Sequence, residues 1–177
     1  MGAKKIFIAG FGGQGVLLIG QMLSYAAMYE GKEVTWMPSY GPEMRGGTAN
    51  CSVILSDEPV GSPIVSNPDV LIPMNLPSLE KFEKAVNDGG FIIYDSSLIQ
   101  KDVKNDKAFG IPATKIANEK GYHGLANMIL FGYVLKKTNM LSLDLVKKGV
   151  EKVVPAKKAH LLPKNIEAIM LGYNYEG

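Results

Sequence analysis

Ten residues into the chain, Gly10-Phe11-Gly12-Gly13-Gln14-Gly15 sets three glycines at the spacing G-x-G-x-x-G. Before it stands Lys4-Lys5-Ile6-Phe7-Ile8-Ala9, which reads as a buried first strand, and after it Val16 to Leu23 opens a helix. In a strand–turn–helix setting the chemistry of such a turn is anion binding, because unpaired N–H groups converge at a helix N-terminus. Gln14 offers a side-chain donor to the same place or else lies exposed. A nicotinamide site would also want an acidic residue ending the second strand, to hold ribose hydroxyls. That strand ends in Met37-Pro38-Ser39-Tyr40, with no acid. A different ligand, or a protein surface, is implied.

A second group of chemically suited residues is Ser39-Tyr40-Gly41-Pro42-Glu43-Met44-Arg45-Gly46-Gly47-Thr48. It begins where a parallel strand should end, on the sheet edge beside which open α/β sheets bind ligands. The glycine turn opens on that edge too, so the two loops are expected to be neighbours. Arg45 is suited to a bidentate grip on phosphate or carboxylate; the plainer reading is a surface pair with Glu43 of small energetic worth.

Catalytic groups are scarce. His123 and His160 have no motif partner and read as solvated or hydrogen-bonded histidines. Cys51, in a strand, reads as a small buried apolar side chain. Asp95 ends a strand, but Asp95-Ser96-Ser97 is equally a turn or helix-cap sequence, and Asn127 at a helix start reads more readily as a cap than as a ligand contact. The sequence shows no Ser-His-Asp order, P-loop lysine or His/Cys metal cluster. No residue is assigned a catalytic or metal-binding role.

The elements that must position these residues follow from pattern. A first βα unit runs from Lys4 to Tyr29, its helix ending near Gly31. Glu33 to Met37 is a second strand, and 38–47 is too rich in Gly and Pro for regular structure. Thr48 to Ser56 is a third strand with no intervening helix, so the sheet should be mixed. Val70 to Met74 and Phe91 to Tyr94 read as buried strands around a helix from Leu76 to Val86. Lys101 to Lys107 reads as an exposed loop, and Ile111-Pro112-Ala113-Thr114 leads into a short helix. Helices follow over Ala126 to Lys137, after Ser142, and over Asn165 to Tyr173, with Pro155 and Pro163 dividing the tail. The whole is one domain over 1–177, α/β in class: a Rossmann-like three-layer sandwich with a mixed, mostly parallel sheet.

Composition bounds the rest. The chain has 177 residues, 46% hydrophobic and 20% charged, with a net charge of +2. No basic block points to nucleic acid; Lys147-Lys148 and Lys157-Lys158 read as solvated helix faces. No apolar run reaches the roughly 18–20 residues of a membrane span, and no secretory leader is legible. One cysteine makes neither a disulfide nor a cysteine-ligated iron–sulfur cluster, and points to a reducing, cytoplasmic setting.

The FGGQG turn, the SYGPEMRGGTANCSVILSD segment, the PDVLIPMN stretch and the later LANMILFG resemble the gamma subunit of the 2-oxoacid:ferredoxin oxidoreductases over nearly the whole length. SYGPEMRGG is the most specific of these elements. Among the branches the chain is most similar to the 2-oxoglutarate type, then to the branched-chain 2-oxoacid type, with pyruvate and indolepyruvate types as further alternatives. The resemblance implies a multisubunit enzyme that oxidatively decarboxylates a 2-oxoacid to an acyl-CoA and reduces ferredoxin. It implies thiamine diphosphate with magnesium and iron–sulfur clusters on partner alpha, beta and delta subunits, none of them bound by this chain alone. The gamma domain is associated with the coenzyme A side of the active site and with assembly. Gly10, Gly12, Gly13, Gln14 and Gly15 match its glycine turn, Ser39, Tyr40, Arg45, Gly46, Gly47 and Thr48 its second loop, and Asn127 its later motif. The isolated chain is expected to be inactive, with self-association left open. Two rival readings stand beside this one: a stand-alone nucleotide-binding oxidoreductase, and a purely structural assembly subunit.

Overall fold

The structure, a computed structural model, describes residues 2–41 and 47–177. Six strands form one sheet: β1 (Lys4–Phe11), β2 (Glu33–Tyr40), β3 (Thr48–Ser56), β4 (Val70–Pro73), β5 (Phe91–Asp95) and β6 (Ala108–Ile111). Their order across the sheet is β2-β3-β1-β4-β5-β6. β3 is antiparallel to both of its neighbours, with Ile8 opposite Cys51 and Trp36 opposite Val53, while β4, β5 and β6 continue parallel to β1. Only β3 is reversed, so the sheet is mixed and mostly parallel, as its sequence pattern requires. The cause is length. Residues 41–47 join β2 to β3, and a parallel crossover needs a dozen or more residues.

Several boundaries differ from the pattern-based reading, among them the helix read over Leu76 to Val86, which ends at Phe82, and one strand escapes it. β2 does not stop at Met37; Pro38, Ser39 and Tyr40 stay in register with Cys51, Asn50 and Ala49. β2 is an edge strand, where a residue without an N–H is tolerated. The last helix starts at Leu162 rather than Asn165, with Pro163 in its first turn, where the missing N–H costs nothing. β6 is four residues long and contains Gly110, too short to show an alternating pattern.

Alternation along the strands divides the core between the two faces of the sheet. Ile6, Ile8, Val70, Ile72 and Ile93 belong to a large cluster under α1 (Val16–Tyr29), α4 (Ala126–Thr138) and α5 (Leu143–Val153). Phe7, Leu71 and Ile92 face the other way, into a smaller cluster with Leu79 and Phe82 of α2 (Leu76–Phe82). α3 (Ala113–Lys120) and α6 (Leu162–Tyr173) complete the larger layer. α4 is buried without a break from Met128 to Leu135, as befits a helix held between the sheet and α6. No helix among the described residues is long and apolar enough to cross a membrane.

Candidate functional site

A cleft of about 360 Å³ opens at the C-terminal ends of the parallel strands. Each strand end supplies part of it: the glycine turn after β1, Met74 after β4, Asp95 and Leu98 at and beyond the end of β5, and Thr114 beyond β6. Asn127 and Leu130 of α4 and Leu18 of α1 close the side. This is where an open parallel sheet leaves room, because the helices that cover its faces begin there.

The turn is built for the helix it precedes. Gln14 N donates to Phe11 O at 3.2 Å, and Gly15, at φ 83°, is the N-cap of α1. No side chain caps the helix and no acid occupies its first turn. The positive end of the helix dipole is thus balanced by neither a side-chain cap nor an acid in the first turn. Gly15 has a second reason to lack a side chain. A Cβ there would collide with the Asn127 amide.

Gln14 is half-buried at the wall of the cleft, and most of its amide is spent on the protein itself. Its Oε1 accepts from Phe11 N at 2.7 Å and from Asn75 Nδ2 at 3.0 Å, and its Nε2 donates to Met74 O at 2.9 Å. Asn75 in turn caps α2, its Oδ1 accepting from Ser78 N at 2.9 Å. Gln14 therefore fastens the glycine turn to the turn after β4. Gly10 is buried below, where a Cβ would stand 2.7 Å from Met74 Cβ.

Asn127 is not a cap. Leu125 takes the N-cap position of α4, and no side chain bonds there. Asn127 instead lies against Gly15, its Oδ1 buried without a hydrogen-bond partner. Asp95 takes the turn-and-cap role. It is 4% exposed; Oδ1 accepts from Ser97 N at 2.9 Å, and Oδ2 accepts from Thr114 N at 2.9 Å and Thr114 Oγ1 at 2.6 Å. These bonds tie the end of β5 to the first turn of α3.

The second loop does neighbour the first: Gly12 N donates to Gly47 O at 2.9 Å, and Gly41 N to Thr48 O at 2.7 Å. Ser39, Tyr40 and Thr48 are exposed on the β2–β3 hairpin and stay outside the cleft. Arg45 and Gly46 lie outside the described residues. His123 and His160 are exposed and are not among the residues that line the cleft, although His123 adjoins the lining residue Gly124. Cys51 is fully buried beside Trp36, and burial pushes its thiol up to about 12 against the weaker opposing effect of the indole. Leu18, Met74, Leu98, Thr114 and Leu130 were not legible as site residues, because only strand order brings them together.

The arrangement also explains why an acid at the end of β2 would not serve a dinucleotide. β3 stands between β1 and β2, so that position is two strand spacings, roughly 9–10 Å, from the turn.

Known proteins carry the same pattern. A family model described as pyruvate ferredoxin/flavodoxin oxidoreductase matches residues 5–175. The ketoisovalerate oxidoreductase subunit VorA of Methanothermobacter thermautotrophicus is 47% identical over 140 residues, covering 79% of this chain and 29% of VorA. The chain thus spans under a third of that relative's length. The 2-oxoglutarate synthase subunit KorC of Methanocaldococcus jannaschii is 34% identical over 175 residues, covering 96% of this chain and 92% of KorC. Among solved structures, the keto/oxoacid ferredoxin oxidoreductase gamma subunit of Geobacter sulfurreducens superposes with a TM-score of 0.81 at 28% identity, over 96% of both chains. The 2-oxoglutarate:ferredoxin oxidoreductase of Magnetococcus marinus, with 2-oxoglutarate, coenzyme A and succinyl-CoA bound, shares the fold: TM-score 0.85, 23% identity, 99% of this chain and 32% of that one. With the family model running almost from end to end over a sheet, glycine turn and hairpin of the same design, this chain belongs to the pyruvate ferredoxin/flavodoxin oxidoreductase family.

Proposed function

We propose that the chain is the gamma-type subunit of a 2-oxoacid:ferredoxin oxidoreductase, of the 2-oxoglutarate type, and that it forms the coenzyme A side of the active site. The observation that carries this is the end-to-end match to KorC, 34% identical over 96% of this chain and 92% of that one. In this reading the assembled enzyme decarboxylates a 2-oxoacid, transfers the acyl group to coenzyme A and reduces ferredoxin. Thiamine diphosphate with magnesium and the iron–sulfur clusters belong to alpha, beta and delta partners. With one cysteine, this chain does not supply a cysteine-ligated cluster.

The residues present fit part of an acyl carrier. The uncapped start of α1 offers donors, and the Asn127 amide has an unmatched buried oxygen. Ligand contact falls to Gly13, Gly15 and Asn127 in the cleft, with Arg45, outside the described residues, as the sequence-based candidate. Gly10 and Gln14 hold the turn in shape, Gly12 and Gly47 join the two loops, and Ser39, Tyr40 and Thr48 present a partner-facing hairpin. The chain binds and orients; the bond-making steps belong to other subunits. A stand-alone dinucleotide enzyme is disfavoured by β3, which separates the turn from the end of β2.

The test is purification of the tagged chain from its native cells, followed by assay of coenzyme A-dependent ferredoxin reduction with 2-oxoglutarate, 2-oxoisovalerate and pyruvate. The expected result is co-purification with thiamine-binding and cluster-bearing chains, activity greatest with 2-oxoglutarate, and none from the isolated chain. Turnover by the isolated chain, or tight calorimetric binding of NADH or FAD to it, would overturn the reading.

A further inference from the structure

Charge is unevenly spread along this chain, and its excess sits in a stretch that the proposed function leaves unused. Residues 147–164 carry six lysines, Lys147, Lys148, Lys152, Lys157, Lys158 and Lys164, against one acid, Glu151. That stretch is +5 in a chain that is +2, so everything outside it is −3. Among the described residues none of the six lysines is in an ion pair. Lys148 and Lys152 stand one turn apart on the same face of α5, an arrangement that costs stability when nothing neutralises it. A face that serves only solubility mixes the two signs.

The link between α5 and α6 has little support from the chain itself. A 3-10 helix over Ala156–Leu161 buries none of its residues and has no side-chain cap. It runs for six residues, where runs beyond about three or four are uncommon. Everything from Pro155 to Leu161 is exposed, including the Leu161 side chain at 41%. The helices on either side fix where this link lies. Met140, just before α5, lines a hollow with Gly2, Lys4 and Glu30, at the end of the molecule where β1 begins and α1 ends. Gly149 then passes the middle of α1, where a Cβ would stand 2.7 Å from Met22 O. α5 therefore runs antiparallel to α1, and 154–161 emerges where α1 starts, the end at which the cleft opens. Lys164 agrees with this placement. Its Nζ lies 5.7 Å from the centre of the Tyr122 ring, two residues before Gly124 of the cleft wall.

Resting on the function proposed above, we infer that residues 147–164 are a docking surface for a carboxylate-rich face of the companion subunit that completes the active site. Charge complementarity sets the chemistry of the partner, and position sets which partner it is. A subunit that carries the reacting cofactor must sit against the cleft end of this chain, within reach of these lysines. The exposed Leu161 beside Lys157 and Lys158 suits a lasting protein contact, apolar at its centre and charged at its rim. The stretch holds no arginine, the residue that a nucleic-acid surface would favour. Its lysines steer the subunits together and fix their orientation more than they add raw affinity.

Carbodiimide joins a lysine to a carboxylate in direct contact, and it tests this on the complex purified from native cells. Links from Lys152, Lys157 or Lys158 to Asp or Glu of one thiamine-binding or cluster-bearing chain are expected. They should fall threefold or more between roughly 0.05 and 0.5 M salt, as screening grows. Links confined to added ferredoxin, or links to no chain, overturn the inference. A second arm combines Lys152→Glu, Lys157→Glu and Lys158→Glu, three exposed positions where the fold tolerates either charge. The salt concentration that strips the companion from the tagged chain should drop twofold or more, and arginine at the same three positions should restore it. An unchanged salt concentration overturns the inference and leaves the proposed function standing. If no thiamine-binding or cluster-bearing chain accompanies the parent protein, the proposed function falls and the inference with it.

Discussion

Asn75 Nδ2 donates to Gln14 Oε1 at 3.0 Å, across 61 positions of sequence. This bond joins the cap of α2 to the glycine turn, so the two turns that flank the cleft are held as one unit. Gln14→Ala removes three hydrogen bonds at once and leaves Phe11 N and Met74 O to find water. The expected cost is about 1–3 kcal/mol. Asn75→Ala should cost about 1 kcal/mol through the lost cap. The double variant should cost less than the sum, because the singles share a bond. Urea unfolding of the four proteins measures it, and simple additivity would mean that the Gln14–Asn75 bond contributes nothing.

Asp95 anchors α3 through Thr114. Asp95→Ala is expected to destabilise the fold by about 1–3 kcal/mol, because Thr114 N, Thr114 Oγ1 and Ser97 N all lose their acceptor. Asp95→Asn, which keeps an oxygen, should lose less. Equal unfolding midpoints for the two variants would show that the carboxylate is not the anchor.

α4 and α6 cross at a pair of glycines. A Cβ on Gly132 would run into Ile169 O, and one on Gly172 into Ile129 O. The reciprocal contact lets the two backbones touch. Gly132→Ala should therefore destabilise by about 1–3 kcal/mol or more through overpacking, despite the better helix propensity of alanine. A thermal midpoint at or above that of the parent would show that the helices can separate at little cost.

Cys51 gives a pH signature. Burial raises its thiol from the ordinary 9.0 to about 12, so the folded state holds the proton more tightly than the unfolded chain does. The thiol's contribution is therefore whole below about pH 9 and is lost as pH rises toward 12. Comparison of Cys51→Ala with the parent by urea unfolding should show the parent losing stability faster between pH 9 and 11. The folded thiol should also resist alkylation at pH 8 until the protein unfolds. Rapid labelling of the native protein would contradict the burial.

The strand–turn–helix setting of the glycine turn was readable because its constraints are local: a strand pattern, three glycines and an apolar helix start. β3 and its reversal were equally readable, since the short 41–47 connection permits a hairpin and no crossover. β6 was not, because four residues with a glycine carry no period of their own and become a strand only by pairing with β5. Gln14 shows the same divide within the site. Its place in the turn is a matter of sequence, but its hydrogen bonds to Met74 and Asn75 exist only because β4 lies next to β1.

What the chain order alone determined is the α/β class, the mixed sheet and the strand–turn–helix setting of the glycine turn. These depend on spacing and residue type within a dozen positions. Tertiary structure decided which residues line the cleft, that Gln14 braces it, and that Asn127 meets Gly15 with one amide atom unmatched. Such facts arise where distant segments are brought together by sheet pairing and helix packing, and no local pattern records them.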